Sequence, residues 1–97
     1  MERKIYFRDL KEKTKIRFYS TDGSIDFSMG TIHILVYFNG ATHPTCNRYA
    51  NEIVKGNGER QKDTFDINIP VGGVDAQIVI STKRTDDNIH LVTAEVI

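Results

Sequence analysis

The chain has no tryptophan, one cysteine and two prolines in 97 residues, and its thirteen Lys and Arg are balanced by thirteen Asp and Glu. A single thiol, Cys46, closes no disulfide within the chain, so the disulfide frameworks of small secreted domains are excluded and the core must hold the fold. The missing tryptophan removes a common interface anchor. Zero net charge excludes the strong overall field by which basic proteins gather nucleic acid or an anionic membrane. The longest apolar run, Ile34-Leu35-Val36-Tyr37-Phe38, falls far short of the roughly 20 residues of a membrane span. No basic start leads into an apolar stretch of secretory-signal type. The cytoplasm is the expected compartment. Met1 leads almost at once into patterned sequence, as in a short independent gene product.

What is present is period-2 alternation broken by turn residues, the pattern of half-buried strands. Residues 1–97 are accordingly expected to form a single all-β domain, a small antiparallel sandwich of about seven strands built from hairpins, with room for one thin core at this length. Phe65, Ile67, Ile69 and Val71 alternate with polar residues up to Gly72-Gly73, and Val74, Ala76, Ile78 and Ile80 alternate beyond it. A two-residue turn at the glycines would pair Ile69 with Ala76, Ile67 with Ile78 and Phe65 with Ile80. A similar hairpin around Asp22-Gly23 would pair Phe18 with Phe27 and Ile16 with Met29. A three-residue loop Asp86-Asp87-Asn88 would pair Thr82 with Val92, Ile80 with Ala94 and Ile78 with Val96, with positive φ at Asn88. Ile32, Ile34, Val36 and Phe38 face one way on a further strand, and Ile5-Tyr6-Phe7 forms a short one. Residues 46–55 fit either a strand or a short helix, because Tyr49 and Ile53 are four apart whereas Ile53-Val54 favours extension. Gly56-Asn57-Gly58 reads as a turn.

Chemistry is sparse. His43 and Cys46 bring an imidazole and a thiol close in sequence, but no nucleophile elbow or oxyanion-forming glycine cluster accompanies them, and zinc would need two further ligands. Neither glycine pair opens a helix as a phosphate cradle would. No catalytic residue, metal ligand or cofactor is therefore expected. Charge is uneven along the chain: residues 1–17 carry seven basic and three acidic groups, residues 64–97 two and five. Lys13, Lys15, Arg17 and Tyr19 alternate and so share one strand face, a geometry suited to single-stranded nucleic acid or another ligand, or else a solvated face blunting an exposed edge. The irregular segments His43, Cys46, Asn47, Arg48, Tyr49 and Asp86, Asp87, Asn88 are candidate contact regions, since recognition residues concentrate on loops. Leu35, Tyr37, Val79, Leu91 and Ile97 fall opposite the expected core and form a candidate interface. The pattern points to a non-enzymatic interaction protein, an inhibitor or adaptor that binds another protein or self-associates as a homo-oligomer. An assembly subunit and an oligonucleotide or small-ligand binder are the alternatives.

Overall fold

A computed structural model describes residues 2–10, 15–29, 31–52, 64–84 and 88–97. Seven strands run through them: β1 (Glu2–Phe7), β2 (Lys15–Ser20), β3 (Ile32–Phe38), β4 (Cys46–Tyr49), β5 (Thr64–Asn68), β6 (Ala76–Thr82) and β7 (Val92–Val96). They form a four-stranded sheet in the order β1-β6-β3-β4 and a three-stranded sheet in the order β5-β2-β7. Every pairing is antiparallel. The molecule's shortest dimension, 24 Å, fits two sheets stacked about 10 Å apart with side chains on both outer faces.

Alternation decides which residues meet between the sheets. Ile32, Ile34, Val36 and Phe38 of β3 and Ile78 and Ile80 of β6 face Ile16 and Phe18 of β2, Phe65 and Ile67 of β5 and Val92 of β7, all buried in one cluster. Phe18 and Phe65 lie directly opposite each other in register, with ring centroids 4.6 Å apart and planes within 5° of parallel. Phe27 closes on Phe65 edge-on at 5.0 Å. Three short 3-10 turns, Phe27–Met29, Ala50–Glu52 and Ile89–Leu91, each contribute a buried residue to this cluster, namely Phe27, Ala50 and Ile89.

The expected hairpins do not form. β5 and β6, predicted to pair across Gly72-Gly73, lie in different sheets, as do β6 and β7. Gly73 N–H donates to the Pro70 carbonyl at 2.9 Å, so the turn is centred on Val71-Gly72, and Gly72 takes φ 81° as the third residue of a type II turn requires. Unprimed turns splay the chain segments that flank them, where a two-residue hairpin needs a primed turn. The segment therefore arches from one sheet to the other. Val71, expected in the core, is fully exposed. Asn39, at φ 55°, pins the arch: its amide donates to the Gly72 carbonyl, and its side-chain oxygen accepts from the N–H groups of Val74 (2.8 Å) and Asp75 (3.1 Å). Pro70 lies beyond the end of β5, where its missing donor costs no ladder bond.

At Asp22-Gly23 the turn is likewise offset by one residue, with Gly23 N–H reaching the Ser20 carbonyl at 3.3 Å. β2 is then the centre of its sheet, between β5 and β7. The predicted Phe18–Phe27 pairing is replaced by Phe18 with Phe65 and Ala94, and the predicted exposed edge is an interior strand. Asn88 has φ −86°, which removes the predicted three-residue loop register. β1 is longer than the Ile5-Tyr6-Phe7 expected. Residues 46–49 are strand and 50–52 a single 3-10 turn, which resolves that part of the ambiguous segment. The remaining expectations for residues 53–58, and those for Asp86 and Asp87, lie outside the described residues.

Asp22 ties its turn together. Its carboxylate accepts from the Ser24 N–H (3.0 Å), the Ser24 hydroxyl (2.6 Å) and the buried Ser20 hydroxyl (2.8 Å). These bonds, those from Ser24 foremost, favour the ionised form and lower its pKa to about 2. A pKa lowered on folding means that the turn's contribution is present above the unfolded value, near 4, and is lost as pH falls through about 2. An NMR titration should place the Asp22 midpoint near 2, and Ser24→Ala should move it upward. A midpoint near 4, the ordinary carboxylate value, would show that these hydrogen bonds do not hold in solution.

Candidate functional site

The sandwich offers two outer faces. On the three-stranded sheet, Lys15, Arg17 and Tyr19 point outward from β2. Arg17 stands between Asp66 on β5 and Glu95 on β7 in the strand register. Its Nε donates to Asp66 Oδ1 at 2.8 Å and its Nη2 to Oδ2 at 3.1 Å. The hydrogen bond and the charge of Asp66 raise the guanidinium's pKa, and the same hydrogen bond lowers that of the carboxyl. The cation that would anchor a phosphate is therefore already engaged. Lys13 lies outside the described residues. Ile97 extends this face at the end of β7, where its N–H and carbonyl exchange hydrogen bonds with Lys15.

The outer face of the four-stranded sheet is different in kind. Cross-strand registers align its outward side chains in rows: Glu2, Ser81, His33 and Tyr49; then Lys4, Val79, Leu35 and Asn47; then Tyr6, Gln77 and Tyr37. Val79 is only 9% exposed yet stands outside the core cluster. Leu35 and Tyr37 are half-buried beside it, and Tyr6 is 61% exposed. The five predicted interface residues thus divide. Leu35, Tyr37 and Val79 share this face, Ile97 belongs to the other sheet, and Leu91 sits in a 3-10 turn with its carbonyl accepting from Thr21 N–H.

The loop candidates separate in the same way. Cys46 turns inward opposite Val36 and is buried, and burial pushes its thiol pKa up. His43 is exposed in the preceding loop. A thiolate nucleophile needs the opposite environment, electropositive and accessible. Asn47 and Tyr49 point outward: His33 Nε2 lies 2.8 Å from Asn47 Oδ1, and the His33 and Tyr49 rings meet at 5.0 Å and 65°. Arg48 is exposed on the edge strand. Asn88 heads the 3-10 turn Ile89–Leu91, its carbonyl accepting from Leu91 N–H. Among the described residues no group of three or more His, Cys, Asp and Glu is placed to hold a metal ion, and no helix is long and apolar enough to cross a membrane.

At the His33–Tyr49 end of this face the surface sinks into a cleft of about 730 Å³, lined by Glu2, Thr31, His33, Tyr49, Ser81, Thr82, Lys83 and Arg84. No family model, curated protein or solved structure matches this chain. Of the cleft's residues only Tyr49 stood among the candidates read from the sequence. The others escape notice because the cleft exists only once β1 and β3 flank β6, pairings between segments far apart along the chain that no local pattern announces. Arg3 was also missed, although a signal existed. Its alternation with Ile5 and Phe7 places it on the inward side of β1, where a guanidinium must find acceptors. It finds three, the carbonyls of Ile89 (3.3 Å), His90 (3.1 Å) and Val92.

Proposed function

We propose that the chain is a non-enzymatic interaction protein whose working surface is the outer face of the four-stranded sheet, and that its partner there is a second copy of itself. The observation that carries this reading is the row Lys4, Val79, Leu35 and Asn47 with Tyr37 and Tyr6 beside it. It is an apolar centre framed by aromatic and polar groups, the make-up of an interface core and its rim. Charge favours a like partner: Glu2 and Lys4 put both signs on the face, and a chain of zero net charge does not repel its own copy. A two-fold axis through the face would place Val79 and Leu35 of both copies together.

Light scattering over a concentration series tests the pairing. A mass rising toward twice the 11.1 kDa of one chain is expected, and Tyr6→Glu combined with Tyr37→Glu should hold the protein at the single-chain mass. Tyr6 is exposed and Tyr37 half-buried on the outer side, so both changes leave the core intact. A wild-type protein that stays at single-chain mass up to about 1 mM, the regime of the weakest specific contacts, would overturn the reading. An extended polymer would overturn it in favour of an assembly subunit.

A further inference from the structure

We propose that Asn39-Gly40 is a self-modification site: when the arch at Gly72 opens, Asn39 loses its amide nitrogen, and the product no longer holds the arch closed. This goes beyond the pairing proposed above and is independent of it, because it rests on the turn after β3 and not on the outer face.

Asparagine followed by glycine is the dipeptide most open to this reaction, since glycine has no side chain to shield its nitrogen. The Gly40 N–H gives its proton to hydroxide, and the nitrogen attacks Asn39 Cγ. A Cγ–N bond forms, the Cγ–Nδ2 bond breaks, and the departing nitrogen takes a proton from water to leave as ammonia. Water then opens the resulting ring at either of its carbonyls, giving aspartate or isoaspartate. Access is no obstacle, because Gly40 is exposed and nothing lies within 4 Å of where a side chain would stand.

Geometry is the obstacle. Asn39 at φ 55° and Gly40 at φ 70°, with Ala41 N–H donating to the Phe38 carbonyl at 3.1 Å, form a type I′ turn. In the left-handed region ψ lies at roughly +30 to +60°, which turns Asn39 Cβ away from the Gly40 nitrogen about the Cα–C bond. Ring closure needs the two nearly eclipsed, so Asn39 must first leave this conformation. Its bonds to the arch hold it there. The backbone N–H donates to the Asp75 carbonyl at 2.9 Å and Nδ2 to the Gly72 carbonyl at 3.0 Å, while Oδ1 accepts from the N–H groups of Val74 (2.8 Å) and Asp75 (3.1 Å). Every one of these partners lies on the arch, so opening of the arch sets the rate.

The product acts back on the arch. Both forms lack Nδ2, the donor to Gly72. Aspartate sets a carboxylate oxygen against that carbonyl, and isoaspartate routes the main chain through the former side chain and breaks the turn. Because ammonia has left, the change does not reverse, and openings of the arch accumulate as a covalent record.

Peptide mapping by mass spectrometry, which separates residue 39 from the other such dipeptide, Asn57-Gly58, follows the conversion in mildly alkaline buffer. Native protein, protein in urea and a synthetic peptide with the sequence of residues 37–42 are compared. The unfolded chain should match the peptide, and the native chain should convert at least about tenfold more slowly, yet measurably. Gly72→Ala, strained at φ 81° with open space around the new methyl, should speed native conversion about fivefold or more. Gly23→Ala carries the same kind of strain at φ 73°, also in open space, but in the separate turn after β2, and should leave the rate unchanged. Converted protein isolated by ion exchange should show faster hydrogen exchange at the Val74 and Asp75 amides than unconverted protein. Amide signal dispersion reports whether each variant is folded, and the wild-type comparison needs neither variant. The proposal is overturned if native Asn39 converts as fast as the peptide, or if Gly72→Ala does not speed it. It is equally overturned if Gly23→Ala speeds it as much, or if conversion leaves Val74 and Asp75 as protected as before.

Discussion

Phe18→Ala is expected to lower the unfolding free energy by about 3–5 kcal/mol, the range for large aromatic truncations in a packed core. Phe18 is fully buried on the central strand of its sheet. Its ring lies flat against Phe65, and Phe65 is met edge-on by Phe27, so removing one ring strips contacts from a connected group of three. The cavity cannot refill from β2's neighbours, because β5 and β7 are both fixed to it by ladder hydrogen bonds. In a domain whose total stability is of order 5–15 kcal/mol, this brings the protein near its midpoint at room temperature or well toward it. Urea denaturation is the measurement. The double variant with Phe65→Ala should cost less than the sum of the singles, since the stacked pair is counted twice. A loss under about 1 kcal/mol for Phe18→Ala, the scale of surface changes, would mean that the two sheets do not face each other through this residue.

Arg3→Ala should be the costliest change to a charged residue, at about 2–3 kcal/mol, the worth of a charge-assisted hydrogen bond with partly buried acceptors left behind. Arg3 carries the bond from β1, at the edge of one sheet, to the carbonyls around the 3-10 turn Ile89–Leu91 that leads into β7 of the other. It therefore laces the open side of the sandwich, where no strand ladder joins the layers. For a domain of this size the change corresponds to a fall in Tm of roughly 8–24 °C. Arg3→Lys should recover only part of it, because one ammonium on a flexible stem does not reproduce the fixed fork of a guanidinium. Thermal unfolding followed by circular dichroism reads both. If alanine and lysine behave like the wild type, the lacing is absent in solution.

These two residues also show what the sequence could and could not disclose. Alternation correctly assigned faces: Phe18, Phe65, Ile67, Ile78 and Ile80 were all expected to be inward and all are buried. The all-β architecture follows from the same signal. Partners were misassigned, because an arch and a hairpin present identical inward faces and differ only in whether the flanking strands share a sheet. At Gly72 the decision rests on a one-residue offset of the turn, which changes a primed geometry into an unprimed one. The left-handed asparagine was expected at Asn88 and occurs at Asn39, where the side chain holds a distant loop that the local sequence does not contain. The outer face was legible in Leu35, Tyr37 and Val79, because a strand apolar on both sides is visible in one dimension. The cleft was not, since Glu2 joins Ser81 and Lys83 only through β1 pairing with β6.

Of the strands described, only β3 and β4 are neighbours both along the chain and within a sheet; every other consecutive pair is split between the layers. The order of synthesis then matters. When the ribosome has extended the nascent chain through β1 and β2, neither has anything to bond to, for the ladders they join are completed by residues 64–68, 76–82 and 92–96. Such distant closures make for slow acquisition of structure, and until they occur the early apolar segments are open to chaperones and to one another.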